Sequence, residues 1–173
     1  MKIDLEELKA HHPRLPRTTA QEYVHRAVLA LQRRHAPGVE MRVTSGRENM
    51  HATLEWSRRS SVGAELLDWH RVTEDAAEAV ALGLVHAARG WVVCRRLQRE
   101  EHGDWLLYDD ARRAFVVLEV SGTDDGDPDA RIAVKLAQVA MSPVADVRAA
   151  CVVRFVEPLA ALELLPERSE GSR

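Results

Sequence analysis

The sequence predicts an α/β fold: a central mixed sheet of about four strands flanked by helices, with an N-terminal helix and β-hairpin. Three observations lead there. From residue 73 onward, one long helical pattern is followed by three apolar runs, a second helical pattern and a further apolar run. Those runs, WVVCRRL, DWLLYD, AFVVLEV and AACVVRFVEP, are short and rich in β-branched and aromatic residues, which suits strands better than helices. Each helical pattern carries an apolar stripe, and helices laid on both faces of a mixed sheet cover stripe and strands together.

MKIDLEELKA reads as a short acidic helix, and the prolines of HHPRLPRTT break it. Thr18 or Thr19 then caps a helix to about residue 35, with Tyr23, Ala27, Ala30 and Leu31 as its apolar stripe. APG, residues 36–38, ends it. VEMRVTS and MHATLEWS, joined by GREN, have the alternation of a β-hairpin. In TEDAAEAVALGLVHAARG, Thr73 is the expected N-cap, Val80, Leu84, Ala87 and Ala88 recur at helical spacing, and Gly90 closes the helix. DWLLYD and AFVVLEV, separated by DARR, form a second hairpin with WVVCRRL beside them. GTDDGDPDA is a polar loop that places Asp129 near the start of the helix in ARIAVKLAQVAMS. After the strand in AACVVRFVEP, LAALELLPER reads as a short helix or an additional edge element. The expected organisation is a helical and hairpin extension over 1–72, an α/β core over 73–165 and a frayed tail over 166–173.

Length and composition narrow the function classes. A chain of 173 residues with 46% hydrophobic content builds one sizeable core, and none of its apolar runs is long enough to cross a bilayer. Acids stand in MKIDLEELKA where a signal peptide would be apolar, so a soluble cytoplasmic protein is expected, with no membrane partner. Cys94 and Cys151 sit inside apolar runs and read as buried, reduced thiols. A formal net charge of -3 argues against the overall positive field of a dedicated nucleic-acid binder, which leaves any such binding to local geometry.

Glu119 lies in the middle of the apolar run FVVLEVSG, where an ionised acid without a partner costs several kcal/mol. Antiparallel pairing of the two neighbouring runs sets Asp104, at the start of one, opposite Glu119, near the end of the next. Two such carboxylates suit Mg²⁺, which also keeps waters and contacts a phosphate. Ser121 shares the Glu119 face of the strand. In the helix that follows, Arg131, Lys135 and Gln138 share one side, which puts Lys135 within reach of Glu119. Lys2, Lys9 and Lys135 are the lysines among 24 basic residues, so Lys135 stands alone beyond the N-terminal segment. Glu78, in the preceding helix, is the natural additional acid.

GDWLLYD, FVVLEVSG and ARIAVKLAQ, in that order after an acid-containing helix, resemble the core of the PD-(D/E)xK restriction-endonuclease-like superfamily. The resemblance covers about residues 74–157. It implies an α-β-β-β-α-β core and Mg²⁺-dependent hydrolysis of phosphodiesters in nucleic acid. It implies Asp104 as the metal-binding aspartate, Glu119 as the acid of the E-x-K motif and Glu78 as the helical acid, all three as metal ligands. Ser121 stands where that motif carries its lysine, and Lys135 is the replacement that some members' displaced lysines suggest. On that pattern Asp104, Glu119 and Lys135 do the chemistry, with Lys135 stabilising charge in the transition state. Other members keep the fold without catalysis, so the alternative is an inactive interaction or accessory protein with a protein partner. A third expectation is an unrelated α/β binding domain. A nuclease-like domain this small would use a second copy, as a homodimer, to embrace its substrate.

Other polar groups read more plainly. His11 and His12 beside Pro13 form a surface pair, His70 is an exposed junction residue, His86 is partly buried or at the surface, and His102 belongs to a loop. TDDGDPDA lacks the twelve-residue ligand pattern of an EF-hand. Arg95, Arg96, Arg99, Arg112 and Arg113 form a basic strip that either binds phosphate or guards a sheet edge. Trp56, Trp69, Trp91 and Trp105 are scattered, as core or interface anchors are.

Overall fold

The computed structural model describes residues 1–165, and the expected frayed tail at 166–173 lies outside the described residues. The chain forms an α/β structure in which helices flank one mixed sheet. Its strands are β1 (Lys2–Asp4), β2 (Val39–Ser45), β3 (Glu48–Glu55), β4 (Val92–Arg96), β5 (Trp105–Asp109), β6 (Ala114–Thr123), β7 (Val147–Arg154) and β8 (Leu159–Leu164). Its helices are α1 (Leu8–His11), α2 (Arg17–Gln32), α3 (Trp69–Arg89) and α4 (Pro128–Val139).

Among the described residues the sheet has eight strands in the order β1-β3-β2-β8-β7-β6-β5-β4, which corrects the expected four. Two features of the chain account for the difference. Leu159–Leu164 was expected as a helix or edge element, yet it lies between β7 and β2, antiparallel to the first and parallel to the second. Its first four residues are buried, so tertiary burial overrides the helical preference of Leu and Ala. The second feature is the early chain. The VEMRVTS and ENMHATLE segments do pair antiparallel, but there is no separate N-terminal hairpin. β2 joins β8 through Arg42↔Leu159, and β3 takes β1 in parallel, so both are built into the sheet.

Helix ends differ locally from expectation. The first ten residues are a strand, a 3-10 turn and then α1. Pro16 precedes α2, so Thr18 and Thr19 fall inside its first turn. Asp68 caps α3 by accepting from the His70 N–H, while the Thr73 hydroxyl donates to the Trp69 carbonyl inside the helix. Gly90 closes α3 at φ 72, in the left-handed region that glycine adopts without a Cβ penalty. At α4 the cap is Asp127, which accepts from the Asp129 N–H.

The layers follow from burial. α3 is buried continuously from Ala76 to Val85, because it lies between one face of the sheet and α2; a helix that is apolar all round needs such a place. α4 covers the other face over β6, β7 and β8. Cys94 and Cys151 are free thiols, the first half-buried and the second buried. Among the described residues no helix is long and apolar enough to cross a membrane.

Candidate functional site

β6 presents two unlike faces. Val116, Leu118 and Val120 join the core beneath α3, while Val117, Glu119 and Ser121 alternate towards α4. The strand also outruns β5. Trp105 pairs with Leu118, and beyond that point residues 119–123 pair with β7 alone. Backbone N–H groups on the free edge therefore need acceptors, and carboxylates supply them. Asp104 Oδ2 accepts from the Val120 N–H at 2.8 Å, and Glu74 Oε2 accepts from the Gly122 N–H at 3.4 Å.

Asp104 lies just ahead of β5, where its own N–H donates to the Leu118 carbonyl at 3.0 Å. The antiparallel pairing thus brings it to the stretch that carries Glu119. Lys135 Nζ donates to Glu119 Oε1 at 2.7 Å, with side chains 24% and 12% exposed. One turn earlier on α4, Arg131 donates to Ser121 Oγ at 3.3 Å and to the Gly122 carbonyl at 3.2 Å. The four-residue spacing of Arg131 and Lys135 matches the two-residue spacing of Ser121 and Glu119, so one helix side meets one strand face. Burial first, and then the Asp104 carboxylate, push the Glu119 carboxyl above its ordinary range, against the hydrogen bond from Lys135.

Glu78 belongs to the α3 side and is buried. The Trp105 indole N–H donates to its Oε2 at 2.6 Å, and an Arg96 nitrogen lies 3.3 Å from its Oε1. Arg96 also stands 3.5 Å from Asp104 Oδ1, donates to the Tyr23 hydroxyl at 2.6 Å and lies over the Trp105 ring. Burial, followed by the Asp104 carboxylate, raises the Glu78 carboxyl, while Arg96 and Trp105 oppose the rise. Asp104 is therefore a neighbour of both acids, through Arg96 for Glu78 and through its own field for Glu119.

The donor set can be matched to Mg²⁺ group by group. Asp104 and Glu119 match in number the one or two protein carboxylates that Mg²⁺ takes alongside water and phosphate, with Asp104 Oδ2 engaged by the Val120 N–H and Glu119 Oε1 by Lys135. Glu78 has both oxygens engaged by protein donors. Among the described residues, no three His, Cys, Asp or Glu side chains are grouped to hold a metal ion.

The expected arginine strip is split: Arg95 and Arg96 stand on β4 opposite the start of β5, while Arg112 and Arg113 lie in the turn beyond its other end, and Arg95, Arg96 and Arg112 face acids of their own neighbourhood. Arg95 makes two bonds to Glu101, at 2.7 and 2.6 Å, and Arg112 lies 3.8 Å from Asp109. His102 is exposed, in a left-handed turn at φ 53. His12 departs furthest from expectation. Instead of standing at the surface it is fully buried, accepting from the Val93 N–H on Nδ1 and donating from Nε2 to the Leu82 carbonyl. Burial lowers it to about 4, so it is neutral and ties the edge strand to α3. Its neighbour Pro13 suggests an exposed turn, and nothing local in the sequence signals the contact with residues 82 and 93. No family model, no curated protein and no solved structure matches the chain.

Proposed function

We propose that this chain is a degenerate member of the PD-(D/E)xK group that carries out Mg²⁺-dependent hydrolysis of phosphodiesters in nucleic acid, using Asp104, Glu119 and Lys135. The observation that carries the reading is the 2.7 Å contact between Lys135 and Glu119, because it supplies from α4 the lysine that Ser121 does not provide. Asp104 and Glu119 are the groups that would hold the metal, which when bound supplies Lewis-acid polarisation of a phosphate oxygen. Lys135 keeps Glu119 oriented and offers a cation to the negative charge that grows on phosphorus oxygens in the transition state. Arg131, one turn away, holds the strand at Ser121 and adds positive potential on the same side. The two free thiols accord with a cytoplasmic setting, and a homodimer that encloses its substrate belongs to the same proposal.

The competing reading is an accessory protein that keeps the fold without catalysis and binds a protein partner. It is favoured by Glu78, whose oxygens are engaged by Trp105 and Arg96, and by the Asp104 oxygen engaged with the Val120 N–H. Cleavage of labelled single- and double-stranded DNA and RNA separates the two. Wild type is expected to cut one of them in Mg²⁺ or Mn²⁺, and folded Glu119→Gln and Lys135→Ala variants are expected to lose at least about a hundredfold in rate. Variants that cut as fast as wild type, or a wild type that cuts nothing, would remove the hydrolase reading and leave the accessory one.

A further inference from the structure

A cavity of about 310 Å³ lies between the end of α2, the loop that precedes α3 and the first residue of α3. Its wall carries Arg33, Arg58 and Arg59 with Gln32, Ser61 and Trp69, and no acidic residue lines it. In a chain of net charge -3, three guanidinium groups around one hollow require a reason. They are held in three different ways.

Arg59 is an anchor. It reaches both oxygens of Glu6, at 3.1 and 2.9 Å, and its backbone exchanges two hydrogen bonds with the Gln32 side chain, which fixes the loop to α2. Arg33 is oriented. Its guanidinium lies 4.0 Å from the Trp69 ring centroid, a stacking that directs the planar fork, and it approaches Asp124 only at 4.0 Å. Arg58 is exposed and makes no hydrogen bond or ion pair among the described residues. Leu29 and Ala64 complete the wall with apolar surface.

We propose that this cavity binds a nucleoside 5′-monophosphate unit, either as the free nucleotide or as the phosphorylated end of a strand. Arg33 and Arg58 take the phosphate dianion, with Ser61 as a polar neighbour, and the flat base lies against the lining at Ala64 and Trp69. The volume lies at the lower end of the range for small-molecule sites, which suits one nucleotide. Guanidinium groups grip phosphate through charge-assisted bonds, and Arg33 and Arg58 are the two on this wall whose side chains make no hydrogen bond among the described residues. This inference stands apart from the hydrolysis reading, and failure of every cleavage assay leaves its test unchanged.

The test is calorimetric titration of the full chain with adenosine 5′-monophosphate, adenosine, inorganic phosphate, and one oligonucleotide with either a 5′-phosphate or a 5′-hydroxyl. The monophosphate, or the 5′-phosphorylated strand, is expected to bind at least about tenfold more tightly than its unphosphorylated counterpart. Arg58→Glu is expected to weaken that binding by a further tenfold or so, with an unchanged circular dichroism spectrum because Arg58 supports no contact. Arg47→Glu, at an exposed arginine in the turn between β2 and β3, is the charge control and is expected to bind as wild type does. Binding by the free nucleotide points to a nucleotide ligand, and binding by the phosphorylated strand alone points to a strand end. No binding of any phosphorylated probe, equal affinity with and without the phosphate, or equal weakening by Arg58→Glu and Arg47→Glu would overturn the proposal.

Discussion

On the α3 side of β6, Val116, Leu118 and Val120 pack into the main core, and the backbone of α3 at Thr73 comes down against Gly122. On the α4 side, Glu119 and Ser121 meet Lys135 and Arg131. Both sides contain an acid, and the two are treated differently. Glu78 is enclosed with both oxygens engaged, as a group that holds Trp105 and Arg96 in place. Glu119 pairs through one oxygen with a lysine that is itself partly exposed. Position in an apolar stretch does not distinguish a structural carboxyl from an available one; the donors around each oxygen do.

The largest effect is expected where the α3 side is tightest. A Cβ at Gly122 would stand 2.2 Å from the Thr73 carbonyl oxygen and 2.8 Å from its carbon, both backbone atoms that no rotamer change can clear. Gly122→Ala is therefore expected to cost about 3 kcal/mol or more in urea unfolding, as overpacking does when the helix itself must move. Ser121→Ala, one residue away on the other side, gives up a hydrogen bond from Arg131 and should cost about 1 kcal/mol. Equal losses from the two would mean that the faces do not differ as described.

A smaller effect separates the two acids by pH. The folded-state carboxyl of Glu78 is raised by burial and by Asp104, so its contribution is complete below the ordinary carboxyl range and is lost as pH rises through the folded value. Glutamine at this position does not titrate. Between about pH 5 and about pH 9, Glu78→Gln should gain on wild type by about 2 kcal/mol, a cost held down because Trp105 and Arg96 answer the ionised form. Unfolding free energies measured across that range decide the matter, and a constant difference would mean that Glu78 is already ionised at low pH.

Much of the α4 side was legible in the sequence, because it depends on local rules. Antiparallel pairing of two runs separated by DARR brings Asp104 to the Glu119 stretch, and the spacing of Arg131 and Lys135 puts both on one helix side. The α3 side was less so. That Arg96 turns inward to Glu78, Asp104 and Tyr23 depends on where α2 and α3 pack, which no short spacing encodes. The size of the sheet was hidden for a similar reason. Arg42↔Leu159 joins strands more than a hundred residues apart in parallel, and the LAALEL segment there has helical composition. β1 has only three residues, too few for any periodicity to register. Asp68 was visible as a capping residue, but the polar start of α3 carries little apolar stripe, and that drew the expected cap along to Thr73.

The smallest expected effect bears most directly on the α4 side. In Lys135→Met, Glu119 keeps its burial and the nearby Asp104 charge but loses the group that opposes them, so its carboxyl rises further. The sign follows: the variant's deficit is smallest when the carboxyl is protonated and grows as pH increases above the ordinary carboxyl range. Near neutrality it should amount to about 1 kcal/mol, because both side chains retain some contact with water and the pair is partly screened. Glu119→Gln in the same background removes the charge left without a partner and should recover most of that loss. A double-mutant cycle measured by urea unfolding at two pH values therefore expects a coupling that shrinks on acidification. Coupling that is the same at both values would locate the contribution of Lys135 in packing of its methylene chain, and the α4 side would then be closed in the same sense as the α3 side.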